Sequence, residues 1–238
     1  MPKSSRTLIA ALALLLSIAF AISPFFVPSF AGFDPNQFPI PQDNPPAQPA
    51  GYAFSVWGLI YLWLIVGLGY GLLRAPRDAQ WHDMRVPLCL SLAVGTTWLA
   101  VAVMSPVWAA VLIWIMLVTA LLALFLSPVE DPLWAAAPVG LYAGWLSAAS
   151  CVSLALLAAG YGYLDGQTAA LVFVGLAAAL GLIIQTALGR TPTYGIAVIW
   201  GLMGVVVTNW GETPVVAYLA LAGSVIVALP TLRAFRRG

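Results

Sequence analysis

Apolar residues occupy this chain in eight long stretches, separated by short polar or proline-rich segments: residues 8–29, 53–73, 86–104, 107–127, 132–159, 167–188, 192–209 and 213–232. About 20 predominantly apolar residues as a helix cross ~30 Å of hydrocarbon. Inside lipid a backbone must satisfy its own hydrogen bonds, which a helix does within one segment. The pattern therefore predicts an all-α, polytopic transmembrane bundle of about eight spans.

Composition and charge sharpen this picture. With 62% hydrophobic and 7% charged residues in 238, the chain is excluded from the water-soluble globular class. Lys3 and Arg6 precede the first stretch. Arg74, Arg77 and Arg85 lie between the second and third, Arg190 between the sixth and seventh, and Arg233, Arg236 and Arg237 follow the last. All nine basic residues thus fall on one side, and basic flanks stay cytoplasmic, so both termini are expected inside. These residues anchor flanks and form no run, so the net charge of +1 gives no sign of a nucleic-acid partner, and none is expected. Lys3 and Arg6 before an apolar stretch also fit a signal peptide with a cleavage site near Ser29–Gly32, but the stretch exceeds the usual h-region of about 7–15 residues. A retained first helix is the expectation.

As drawn, the spans contain no formal charge, whereas a pump or coupled transporter usually keeps an ionisable group there. Lys3 is the only lysine, which excludes a Schiff base within the bundle. No HExxH, Walker A or GxSxG pattern occurs. Cys89 and Cys151 fall inside spans without His or carboxylate companions, so they read as packing residues and no metal site is expected. His82, with Arg74, Arg77, Asp78, Trp81, Asp83 and Arg85, is assigned to a solvated interfacial loop at 74–85. Glu130 and Asp131 read as charges at a helix N-terminus.

The segment 31–52 carries Pro35, Pro39, Pro41, Pro45, Pro46 and Pro49 with Phe33 and Phe38. Such proline density disfavours helix and strand and leaves a stiff, extended segment, either a plain linker or a lid over a cavity. Two small-xxx-small pairs, Gly67/Gly71 and Gly140/Gly144, allow close helix approach, within the bundle or across a homodimer. Of ten tryptophans, Trp81, Trp108, Trp134 and Trp210 sit at span ends in the interfacial belt. Trp63, Trp98, Trp114, Trp145 and Trp200 lie deeper, and Trp57 about one turn in. Such rings serve as packing bulk or, gathered round one cavity, as walls for a planar hydrophobic ligand. Tyr61, Tyr142 and Thr97 share these spans and are the candidate cavity donors.

The proline-rich segment followed by Tyr52-Ala53-Phe54-Ser55-Val56-Trp57-Gly58-Leu59-Ile60-Tyr61 resembles the tryptophan-rich sensory protein family, the TspO/peripheral benzodiazepine receptor-like or translocator protein family. Val56-Trp57 and Tyr61 match its second-helix signature, and Trp98 and Trp145-Leu146-Ser147-Ala148-Ala149 resemble its third- and fifth-helix tryptophan segments. Ser55 stands where the family usually has proline, and Gly95 and Ser153 where members often carry asparagine. The resemblance covers residues 8–159. It implies a five-helix bundle (1–159), here followed by three additional helices (160–238) in the same membrane domain. It also implies binding of tetrapyrroles such as protoporphyrin or haem, or of sterol-like molecules, beneath the first loop.

Together these readings give a non-enzymatic membrane protein that binds a flat hydrophobic ligand as sensor or carrier, with no required cofactor. Trp57, Tyr61, Trp98, Tyr142 and Trp145 form the expected walls, with Phe54 near the mouth. A transporter of small metabolites or lipophiles ranks second, a scaffold third, and a tetrapyrrole-degrading enzyme last. The expected location is a bacterial cytoplasmic membrane.

Overall fold

The computed structural model describes residues 3–27 and 32–236; the cleavage site weighed above lies mostly outside them. Among the described residues there is no strand, and eight α-helices follow in order: α1 (Lys3–Ile22), α2 (Val56–Arg74), α3 (Ala79–Ala102), α4 (Pro106–Phe125), α5 (Ala137–Gly160), α6 (Gly166–Leu188), α7 (Thr193–Asn209) and α8 (Pro214–Phe235). Seven are long and apolar enough to cross a bilayer, and α7, at 17 residues, is shorter. The chain is a multi-pass helical membrane bundle. Asp78, Ser105 and Asp165 accept from the backbone N–H groups of Trp81, Trp108 and Thr168, so each caps the helix it precedes. Proline opens α4 and α8, where its missing N–H costs nothing.

α1 packs on α2 and α3, α3 on α4, and α4 on α5; α6, α7 and α8 pack on one another. α5 touches both groups and is the helix between them. Eighteen of its 24 residues are buried. That is possible because small residues face its neighbours. A Cβ on Gly144 would meet the Tyr194 carbonyl of α7, and one on Gly140 would lie 2.6 Å from Thr193 Oγ1. Gly67 of α2 similarly abuts the Trp134 carbonyl. Both glycine pairs are thus filled by contacts within the chain. Hydroxyls join the helices as well: Tyr142 Oη lies 2.9 Å from Ser91 Oγ, and Tyr194 Oη 3.0 Å from Ser147 Oγ.

The expected break at 74–85 needs correction. α3 begins at Ala79, seven residues before the span drawn from hydropathy, so Asp83 and Arg85 are helical and the third span does carry formal charge. Arg85 is fully buried. Its Nη1 donates to the Ala75 carbonyl at 3.1 Å, at the C-terminal end of α2, and its guanidinium lies 4.9 Å over the Trp81 ring. The negative pole of α2 and an aromatic face are what admit this cation. His82 is likewise buried on α3 rather than solvated. Asp131 does more than flank a helix: its carboxylate accepts from Trp81 Nε1 at 2.8 Å and from Tyr70 Oη at 3.5 Å, joining α2, α3 and the start of α5. Arg190 reaches the carbonyls of Phe125 and Ser127, beyond the C-terminal end of α4.

Replacing Gly144 with leucine should destabilise the bundle by about 3 kcal/mol, the upper range for overpacking a tight contact, read as a lowered thermal midpoint in detergent. An unchanged midpoint would show that α5 and α7 can separate there. Single cysteines introduced at Gly211 and Pro76, with Cys89 and Cys151 both buried, should differ in intact cells. The Gly211 position should react with a membrane-impermeant maleimide and the Pro76 position should not; the reverse pattern would invert the topology.

Candidate functional site

The proline-rich segment ends in a 3₁₀ turn, Gly51–Ser55, that runs straight into α2. That turn sets Phe54 at the mouth of the bundle, while Trp57 and Tyr61, four residues apart, share one face of α2. Their rings stack with centroids 5.4 Å apart and planes 19° apart. Phe20 of α1 meets both edge-on, at 5.7 and 5.0 Å. Trp145 of α5 stands edge-on to Phe54 at 5.8 Å and to Trp57 at 6.3 Å. These separations fall in the 4.5–7 Å range in which aromatic pairs attract.

The rings surround a cavity of about 250 Å³ walled by Phe20, Phe54, Trp57, Tyr61, Trp98 and Trp145, and completed by residues of α4 such as Ile113 and Met116. A second, smaller compartment of about 70 Å³ adjoins it and shares Phe54, Trp98, Ile113, Trp145 and Ala149. Its far wall comes from α6 and α7, including Phe173, Ala177, Gly201 and Val205.

Five of the six expected site residues therefore line one cavity. Tyr142 does not: it is fully buried one turn away on α5, its ring 5.8 Å from Phe20 and its hydroxyl engaged with Ser91. It supports the wall from behind. Thr97 is exposed and returns its hydroxyl to the Val94 carbonyl, so it is no cavity donor. The deep tryptophans divide. Trp98 Nε1 donates to the Ala109 carbonyl at 2.8 Å, which holds its ring against the cavity. Trp63 and Trp200 spend their N–H groups on the Leu133 and Ala53 carbonyls, away from the larger cavity. Trp145 Nε1 is buried with no partner. Phe20, Met116 and the α6–α7 wall carry no mark in the sequence that distinguishes them from ordinary span residues.

Between a linker and a lid, the structure shows an ordered cover. Asp34 and Gln37 close a reciprocal capping box around a 3₁₀ turn. Gln37 Nε2 then donates to the Ala102 carbonyl of α3 at 3.0 Å. The Ile40 N–H donates to the Gly160 carbonyl of α5 at 2.9 Å, and the Ala50 N–H to the Gly204 carbonyl of α7 at 3.1 Å. Asn209 Nδ2 donates to the Pro46 carbonyl at 2.8 Å. Phe38 is buried against Gly160, and Gln48 and Pro49 roof the smaller compartment.

Neither compartment is lined by a charged side chain. The loops at the cover end contain Asp34, Asp43, Asp165 and Glu212 and no basic residue. Hydrogen bonds from Thr168 hold the Asp165 carboxyl below its ordinary range, so it stays anionic. Among the described residues no cluster of His, Cys, Asp or Glu could hold a metal ion. A family model described as TSPO-like protein matches residues 40–233, a stretch that reaches past the expected cover of 8–159 into α8 and omits α1. No curated protein and no solved structure matches the chain.

Replacing Asn209 with alanine should loosen the cover at α7. Amide exchange at Gln48 and Ala50 should accelerate about tenfold, the equivalent of ~1.4 kcal/mol, while the Ile40 amide held by α5 stays protected. Equal exchange in both proteins would mean that the Asn209 bond does not restrain the cover.

Proposed function

The chain belongs to the TSPO-like protein family, a multi-pass membrane binding or transport class, and from that premise we propose that it binds a flat hydrophobic molecule, with tetrapyrroles and sterol-like molecules as the leading candidates. One observation carries the reading: an uncharged cavity walled by stacked and edge-on aromatic rings, beside a smaller compartment that the ordered cover roofs. Ligand sites are typically apolar and concave, with a few placed polar groups. Here Trp57 and Tyr61 offer a planar face, and the unpartnered N–H of Trp145 offers a donor. Pockets for drug-sized ligands run to about 300–1,000 Å³. The larger compartment is slightly below that, so a small planar molecule enters as the cavity stands, whereas a tetrapyrrole needs the Phe54 ring to swing aside and join the compartments.

The reading assigns no catalytic residue and needs no cofactor; a tetrapyrrole would be ligand. The protein acts as sensor or carrier in a bacterial cytoplasmic membrane. Transport is the alternative within the same class, and substrate uptake by proteoliposomes separates the two.

Protoporphyrin IX should quench tryptophan fluorescence of the detergent-solubilised protein saturably. Replacing Trp57 and Trp145 together with leucine should raise its Kd at least tenfold, or ~1.4 kcal/mol, with helical circular dichroism retained. An unchanged Kd in the double variant would remove both rings from the site.

A further inference from the structure

We propose that the compartment between α5, α6 and α7 is a second subsite, which takes the oxygen-bearing end of an uncharged lipophile and bonds it through Ser153. The proposal rests on the ligand-binding reading above and names the ligand's chemistry more closely.

Ser153 is the first observation. It lies on α5, is 3% exposed, and its Oγ has no hydrogen-bond partner. Hydroxyls buried in helices normally return to a carbonyl of the preceding turn, and this chain follows that habit elsewhere: Ser147 bonds the Ala143 carbonyl, Ser224 that of Ala220, and Thr231 that of Val227. Ser153 does not, although it lines the compartment. A buried polar atom without a partner in a native fold calls for a ligand, a water or a role.

Shape is the second. The compartment exists because Ala148, Ala149, Ala177 and Gly201 face one another where larger side chains would close the gap. It adjoins the aromatic cavity across the shared wall of Phe54, Trp98 and Trp145, and movement of the Phe54 ring would join the two. At about 70 Å³ it has room for a small terminal group, while the body of the ligand lies among the rings of the larger cavity. Trp145 and Ser153 are eight residues apart, so their Cα atoms are separated by about 12 Å along α5. One uncharged polar side chain thus stands in the shared wall and the other lines the smaller compartment alone.

Charge is the third. No cation lines either compartment, and the loops at the cover end offer four carboxylates and no basic group. Inside this subsite a ligand carboxylate or phosphate would be desolvated and would find no cation to pair with. A ketone, ester or hydroxyl oxygen bears neither penalty, and a serine hydroxyl can donate to or accept from it.

Two matched probes test this on the full-length protein in detergent: 4-benzoylbiphenyl, an uncharged aryl ketone, and 4-benzylbiphenyl, in which a methylene replaces the carbonyl. Binding is read by tryptophan quenching and checked by equilibrium dialysis. The ketone should bind about tenfold more tightly than the methylene compound. Ser153→Ala should abolish that preference and leave the methylene compound's Kd unchanged. Ala177→Phe, which fills the compartment from α6, should weaken both probes. Irradiation of the bound ketone should label α6 or α7 peptides around residues 173–177 or 201–205. Equal affinities in the native protein, a preference that survives Ser153→Ala, or label confined to α1–α3 would each overturn the subsite while leaving a binding protein. Failure of both probes and of protoporphyrin IX to saturate would overturn the binding reading itself.

Discussion

A helix enclosed on nearly every side must be made of residues that its neighbours can approach, and α5 is that helix. The α1–α4 group leans on it from one side and α6–α8 from the other. Glycines and alanines bring backbones within contact, and tyrosines of α5 and α7 have their hydroxyls met by serines. In lipid there is no hydrophobic drive between helices, so association depends on such close packing and on interhelical hydrogen bonds. The same small side chains have a second effect. At the level of Trp145 they stand opposite rings instead of filling the space between them, and the bundle is left with two adjoining voids at its centre. The cavity is a by-product of how the core is closed.

The two ends of the bundle are held by different chemistry. At the basic end, Arg85 and Arg190 donate to carbonyls where α2 and α4 stop, and Asp131 collects donors from Trp81 and Tyr70. Each of these bonds involves a full charge and a helix terminus, the stronger class of contact. At the opposite end the cover is tied by neutral bonds, one or two to each helix it crosses. A neutral bond of this kind contributes roughly 0.5–1.5 kcal/mol net. The bundle is therefore firm where the arginines are and more easily parted over the cavity.

Much of this was legible in the sequence, for identifiable reasons. Span length and the Val56-Trp57…Tyr61 signature placed the helices and the aromatic face of α2, because residues four apart on a helix share a face whatever surrounds them. The start of α3 was not legible. Hydropathy ends a span at the first charges, but Asp78 caps that helix and the α2 terminus receives Arg85, so the helix continues through residues that a window rejects. Tyr142 shares a helix with Trp145 and was grouped with it; three residues of helix rotate the side chain enough to bury it behind the wall. Phe20 and the α6–α7 wall are not legible in the sequence because an apolar residue facing a cavity is spelled like one facing lipid. Ser153 stood out only as a departure from the family's asparagine, and its missing partner is visible only in three dimensions.

The short helix α7 has a mechanical consequence. Its 17 residues span about 26 Å, less than the ~30 Å of a typical hydrocarbon core, while α8 beside it runs to 22 residues. Ile196 and Val207 of α7 face outward, so one flank of the protein presents a narrower apolar belt to the lipid than its neighbour does. A bilayer meeting that flank must thin or tilt the protein, at a fraction of a kcal/mol per ångström of mismatch. α7 is also the helix to which the cover is fastened by Asn209 and Gly204, so the narrow flank and the roof of the smaller compartment share one element.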